Sequence, residues 1–304
     1  MRCFDLSEAE LTTNAWGPSV ASADKMAAAS SITVKEDRYG GVELAVVPTA
    51  LETAGVDGAA AVFARELQAG LEAWQAAGKK GLWLKIPTAA ASCVGAAVAL
   101  GFEFHHAKPG YVLLTRWLPS TPSPLPSYGF TQIGVGGVVV NAAGHVLMVV
   151  EKVAPMAQHQ GSWKLPGGLA DPGEDFAETV AREVREETGV RGVLEGVVSM
   201  RHMHGVRFGQ GDLYVVVKLR AEEDAITLDP HELLDARWMS RDQIRELVTD
   251  PAGGTSLDGK VSTNNWKMID NALSGTLIMG TSLPNSRPGG QASMLYMAPP
   301  RAGL

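Results

Sequence analysis

The sequence predicts an α/β protein built as two domains. Three observations carry that expectation. Strand-like and helix-like patterns alternate through residues 42–117, a run rich in proline and serine follows at Leu118–Ser127, and further strand patterns then bracket one strongly amphipathic helix at 176–187. A chain of 304 residues with 45% apolar and 19% charged residues can bury a sizeable core in each domain. Its formal charge of −7 leaves no basic footprint for bulk nucleic acid, while a local basic pocket for phosphates remains compatible with it.

Residues 1–30 are rich in alanine, serine and threonine without periodicity, and disorder is expected there. The first domain, 31–118, begins with the strand pattern VELAVV at 42–47. Ala59–Ala77 then places Val62, Phe63, Leu67, Leu71 and Trp74 at helical spacing, with Gly78 as the stop. LWLKI at 82–86, bounded by Gly81 and Pro87, is a short buried strand. An alanine-rich helix ends near Gly101, and FEF and YVLLTRW supply two more strands. Cys93, set among alanines and valines, reads as a small buried hydrophobe. His105 and His106 read as surface or turn histidines. The domain linker is 119–127, whose prolines and serines suit neither a helix nor a central strand.

The second domain, 128–274, opens with the strands QIGVGGVVVN and HVLMVVEK around a turn at Asn141–Gly144. A loop containing Met156–Gly161 leads into WKLPGG, where Gly167 and Gly168 permit positive φ and let the backbone approach a phosphate or metal. VLEGVVSMRHMH at 193–204 and LYVVVKL at 213–219 form an antiparallel pair. Arg201 is a candidate substrate contact; His202 and His204 share a strand face but lack further ligands at zinc spacing. Ser240 and Gln243 form a capping box for a short helix through Val248, and another helix covers about 264–273. The Gly/Pro/Ser-rich tail, 275–304, is expected to be disordered.

Between those strands lies the central helix. Phe176, Ala177, Val180, Ala181 and Val184 recur at i, i+1, i+4, i+5 and i+8, one apolar stripe. The approach from Asp171 to Asp175 is acidic, as the positive end of the helix dipole favours, and Gly189 sits where a left-handed cap is wanted. Glu183, Glu186 and Glu187, at i, i+3 and i+4, share a face and oppose the helix by roughly 0.2 to 0.5 kcal/mol per pair. Such a cluster calls for counter-charge. It is either a solvated acidic face balanced by Arg182 and Arg185, or a divalent-cation site of the kind in which carboxylates and substrate phosphates share a hard ion.

From Gly168 to Val190 the spacing is G-x5-E-x7-R-E-U-x-E-E-x-G-U, with U apolar, and it resembles an unbroken Nudix box. GKKGLWLKIP and GFEFHHAKPGYVLLTRWLP resemble the N-terminal domain of the Nudix subfamily that includes the fibroblast-growth-factor antisense protein and plant ADP-ribose/NADH diphosphatases. The resemblance covers about 38–272. It implies an α/β/α Nudix sandwich with a mixed sheet, preceded by a smaller, acyltransferase-like α/β domain. That smaller domain lacks an acyl-CoA phosphate loop, so a structural or regulatory role is expected, with homodimerisation as one such role.

The chemistry implied by the resemblance is metal-dependent hydrolysis of a diphosphate bond with Mg2+ or Mn2+, most directly on ADP-ribose and NADH with release of AMP. Glu183 and Glu187 fall on metal-ligand positions and Glu186 on one that serves as ligand or base. Arg182 orients a box glutamate, Glu174 is the glutamate it holds, and Glu232 is an accessory base. The alternatives are a sanitising hydrolase of oxidised nucleoside triphosphates and a binding or regulatory protein with weak activity. The SQPWPxPxS pattern of dedicated NADH diphosphatases is missing, and Phe208 stands where many dinucleoside-polyphosphate hydrolases have tyrosine.

Two cysteines, Cys3 and Cys93, make no disulfide framework. No run approaches the roughly 18 apolar residues of a membrane span. A signal-peptide core is lacking, and Asp5, Glu8 and Glu10 oppose a transit peptide. A cytoplasmic protein with a small nucleotide substrate and no membrane partner is therefore expected.

Overall fold

A computed structural model describes residues 30–154, 157–249, 260–284 and 292–298. The disorder expected of 1–30 therefore falls almost wholly outside the described residues. The chain divides into two units, residues 1–129 and 130–304.

In the first unit, β1 (Ile32–Glu36), β2 (Val42–Val46), α1 (Gly55–Ala76), β3 (Gly81–Pro87), α2 (Val94–Ala99), β4 (Glu103–Lys108) and β5 (Tyr111–Trp117) follow in order. The sheet runs β1-β2-β3-β5-β4, with only β2 and β3 parallel. Leu82, Leu84 and Ile86 alternate along β3 and are buried with Phe63, Leu67 and Leu71 of α1. Cys93 is buried in the same core. The strand β1 escapes the sequence pattern because only Ile32 of its five residues is buried.

The histidine pair departs from expectation. The β4–β5 register slips between Phe104 and His106, a bulge that turns both histidines to one side. Their Nδ1 atoms face each other at 2.7 Å, and His106 stacks on Tyr128 with ring centroids 4.2 Å apart. They are half-buried members of a strand, neither turn nor open surface.

The second unit is built on β6 (Thr131–Val140), β7 (Val146–Glu151), β8 (Trp163–Lys164), α3 (Phe176–Thr188), β9 (Gly192–Met203), β10 (Gly211–Ala221) and β11 (Leu233–Met239). It continues with α4 (Arg241–Glu246), β12 (Val248–Thr249), β13 (Val261–Ser262), α5 (Thr263–Ser274), β14 (Met279–Leu283) and β15 (Ser293–Met297). The main sheet is ordered β12-β13-β8-β7-β6-β10-β9, with β11 on β7. It is mixed, since β10 pairs parallel to β6 and antiparallel to β9.

Strand alternation divides the core into two layers. Val138, Met148 and Val216 are buried with Ile244 of α4 and Ile269 and Ala272 of α5. Val135, Val139, Leu147, Val215 and Val217 are buried with Val180 and Val184 of α3. Helices thus cover both faces, an α/β/α sandwich. The turn after β6 forms as expected: Gly144 takes φ +78° and donates to the Asn141 carbonyl at 2.9 Å.

The hairpin read for β6 and β7 is paired at Val140 and Val146 alone, and the two strands splay beyond it. The segment after β8 fills the gap. Gly137 N donates to Pro166 O at 2.8 Å, Val135 N to Gly168 O at 2.8 Å, and Ala170 N to Ile133 O at 3.0 Å. WKLPGG therefore spans a split in the sheet.

The tail read as disordered is partly folded. β14 and β15 pair as a hairpin, and Ile278 just before it exchanges two backbone hydrogen bonds with Val197 of β9. Tyr296 supplies the reason: it stacks on Phe176 with centroids 5.3 Å apart, its hydroxyl bonds to Asp175, and it packs against the α3 core layer. Glycine and proline composition obscured this one aromatic anchor.

Candidate active site

Helix α3 presents the carboxylates, and its ends are locally determined. Asp175 caps the N-terminus in a capping box with Glu178, and Gly189 closes the C-terminus at φ +72°, its N–H donating to the Arg185 carbonyl. The buried face differs from the stripe read in the sequence. Ala181 is exposed, whereas Thr179, Val180, Val184, Glu187 and Thr188 are buried. The face is turned toward Glu187 because that side chain is claimed from below: Gly167 N donates to Glu187 Oε2 at 3.0 Å.

The three glutamates consequently occupy different environments. Glu187 is 4% exposed, Glu183 is mostly covered, and the Glu186 side chain is 60% exposed. Burial pushes the Glu187 carboxyl up to about 7, against the pull of Lys164 and the Gly167 N–H. Burial also raises Glu183, against its Arg182 partner, while Glu186 and Glu232 add repulsion. Glu232 is exposed and acts on Glu183 through space.

Arg182 supplies the counter-charge. It grips Glu174 bidentately at 2.7 and 2.9 Å, and donates to Glu183 at 2.9 Å, Glu186 at 3.1 Å and the Leu169 carbonyl at 3.1 Å. This holds the Glu174 carboxyl down at about 2, helped by the Asp171 N–H. The expected pairing of Arg182 with Glu174 is present, and one guanidinium ties three carboxylates to the loop before the helix.

Gly167 and Gly168 are both required where they stand. Gly167 takes φ +144°, and a Cβ there would lie 2.2 Å from the Val135 carbonyl oxygen. A Cβ on Gly168 would meet the Glu183 carboxylate oxygens at 2.6 to 2.7 Å. The turn is therefore pressed between β6 and the helix face.

The same turn lines a cavity of about 370 Å³ in the split of the sheet. Lys164 and Glu151 line it from β8 and β7, with Gly134 and Val135 on β6 and Asp212, Tyr214 and Arg201 on β10 and β9. Lys164 is ion-paired to Glu151, and the Arg201 guanidinium lies over the Tyr214 ring at 5.2 Å. Lys164, Glu151, Asp212 and Tyr214 were not singled out in the sequence. A charged residue closing an apolar strand, as Glu151 closes VLMVVE, was the available signal.

His202 and His204 lie with ring centroids 4.2 Å apart and do not line this cavity. Phe208 stands 87% exposed at the β9–β10 turn with φ +58°. Among the described residues, no three of His, Cys, Asp and Glu converge as a ligand group, since Arg182 draws Glu183 and Glu186 one way and Gly167 holds Glu187 another. The donor chemistry nonetheless suits a hard divalent cation. Glu183 and Glu187 are desolvated carboxylates that repel each other, and Glu151 adds to the repulsion at Glu187.

Residues 130–257 match the NUDIX domain family model and residues 32–118 match the Nudix hydrolase domain model. Nudix hydrolase 8 of Arabidopsis thaliana is 43% identical over 191 residues, covering 62% of this chain and 50% of that protein. Nucleoside diphosphate-linked moiety X motif 6 of Mus musculus is 38% identical over 210 residues, covering 68% of this chain and 65% of its own length. Nudix hydrolase 2 of Arabidopsis thaliana is 35% identical over 204 residues, or 67% of this chain and 70% of that protein. The chain thus spans half the length of the first relative and just under two thirds of the second. No described helix is long and apolar enough to cross a membrane.

Proposed function

The chain belongs to the Nudix hydrolase family, and we propose that it hydrolyses the diphosphate bond of a nucleoside diphosphate derivative, with ADP-ribose and NADH as substrates. Water attacks one phosphorus, the bridging P–O bond breaks, and AMP leaves with the other phosphorylated half. One observation carries this reading: the desolvated pair Glu183 and Glu187 backs onto the Gly167–Gly168 turn, which also lines a cavity furnished with Lys164 and Arg201.

Glu183 and Glu187 would hold a magnesium or manganese ion, whose charge would neutralise the diphosphate and polarise the phosphorus centre. The chain's own residues provide the positioning on which phosphoryl chemistry depends. Arg182 fixes Glu174, Glu183 and Glu186 in one arrangement. Lys164 offers positive charge to the phosphates in the cavity, and Arg201 lines its β9 side as a further substrate contact. Glu186, the most exposed of the trio, takes the proton of the attacking water, with Glu232 as the accessory base.

A substrate panel tests the assignment. AMP release from ADP-ribose and NADH is measured beside monophosphate release from 8-oxo-dGTP, with Mg2+ and with Mn2+. Faster turnover of the first two supports the reading, faster turnover of 8-oxo-dGTP replaces it with the sanitising hydrolase, and no turnover of any member favours a binding protein.

A further inference from the structure

The β9–β10 side of the cavity has a chemistry unlike the glutamate side. Asp212 is only 8% exposed, yet it is a carboxylate lining the cavity. Gln132 donates to its Oδ1 at 3.1 Å, and Arg201 reaches its Oδ2 through one long contact of 3.4 Å. A carboxylate offers about four acceptor positions, so Asp212 retains unused ones. Arg201 is also incompletely used: its Nε–H is buried and has no acceptor among the described residues. Its guanidinium is steadied over the Tyr214 ring.

The floor beneath these groups is glycine. A Cβ on Gly136 would sit 1.9 Å from the Tyr214 hydroxyl, and one on Gly134 would sit 3.3 Å from the Tyr214 ring and 3.7 Å from Asp212 Oδ1. The strand therefore makes room for Tyr214 and keeps the space beside Asp212 open.

A buried acceptor and a buried donor with spare capacity are costly unless a ligand completes them. A phosphate would be repelled by Asp212, and an apolar ring would leave both groups unpaired. A hydroxyl both donates and accepts, and a vicinal pair of hydroxyls matches a carboxylate flanked by a guanidinium. Resting on the proposed diphosphate hydrolysis, the geometry points to Asp212 and Arg201 as a ribose-reading subsite that selects substrates with a free 2′,3′-diol over 2′-deoxy counterparts. The diphosphate then lies toward Lys164 and the Gly167–Gly168 turn, with the sugar toward β10.

The test uses the full chain with ADP-ribose and two counterparts, each lacking the 2′-hydroxyl of one ribose. Turnover is followed with Mg2+, and binding is followed by calorimetry. Losing a hydrogen bond to a charged group corresponds to roughly a 10- to 100-fold effect, so wild-type kcat/KM and affinity should fall by that factor for one of the two counterparts. Asp212→Asn should bring the ribose and deoxyribose values within about threefold of each other, chiefly by weakening the ribose compound.

Equal wild-type values for all three compounds would overturn the subsite, as would an Asp212→Asn loss shared equally by them. Hydrolysis without discrimination defeats the subsite and leaves the proposed function standing. Discriminating binding without hydrolysis does the reverse, and neither binding nor hydrolysis defeats both.

Discussion

At the scale of single residues, Glu187 carries the most direct thermodynamic consequence. Its folded carboxyl is raised to about 7 from an ordinary value of 4.5, so the folded state binds a proton more tightly than the unfolded chain does. The stabilisation this gives is complete below pH 4.5 and is lost as pH rises through 7. That amounts to about 3 kcal/mol over the window. In metal-free protein, Glu187→Gln should therefore be more stable than wild type at pH 8 by an amount of this order, with the advantage absent at pH 4. Urea unfolding at the two pH values measures it, and an equal effect at both would show that burial does not govern this carboxyl.

The residue scale also shows how far the sequence could be read. The box spacing places Arg182 eight residues after Glu174, and the pair forms as expected. The different environments of Glu183, Glu186 and Glu187 were not legible, because helical spacing gives a shared face and says nothing of what approaches it. Gly167 N approaches Glu187, Arg182 approaches Glu186, and these partners separate three chemically identical side chains.

Among the elements, the glycine turn and the C-terminal hairpin each hold α3 in place. At Gly167 an added Cβ collides with backbone under a positive φ, whereas at Gly168 it collides with the Glu183 carboxylate. Gly167→Ala should accordingly destabilise the fold by about 1 to 3 kcal/mol. Gly168→Ala should cost less stability and reduce kcat by moving Glu183. Thermal unfolding and steady-state kinetics on both variants separate the two effects, and the reverse ranking would contradict the packing described.

The hairpin reaches the other end of the same helix. Tyr296 bonds to Asp175, the N-cap residue. Tyr296→Phe should keep the ring stacking on Phe176 and lose about 1.5 to 3 kcal/mol for the charged hydrogen bond, readable in denaturant midpoints. Nothing in the local sequence announces this contact, since the partners lie 121 residues apart and a glycine- and proline-rich stretch separates them. The capping boxes at Asp175 and Ser240 are local, and the second was read from sequence alone.

Over the whole molecule, each unit has its own core, and every side chain placed in the candidate active site belongs to the second. Leu84, fully buried in the first unit, is independent of that chemistry. Leu84→Ala should cost about 2 to 5 kcal/mol in the first unit's stability and leave kcat for the diphosphate substrate unchanged. Calorimetry with an activity assay checks both halves of the statement.

The α/β class and the helix-strand order were legible because alternation and helical periodicity are strong local signals. The split between β6 and β7 was not, because it arises from backbone pairing with a segment some 30 residues downstream. That split creates the cavity. It also explains why the carboxylate face of α3 was legible in the sequence while the cavity beside it was not.

The carboxylate face of α3 is the part of the molecule proposed to perform diphosphate hydrolysis. Its most direct measurement is AMP release from ADP-ribose in Mg2+ by wild type beside Glu186→Gln and Glu187→Gln. Wild type should turn over ADP-ribose only with metal, and each variant should lose at least about 100-fold in kcat. Unchanged turnover in both variants would contradict it.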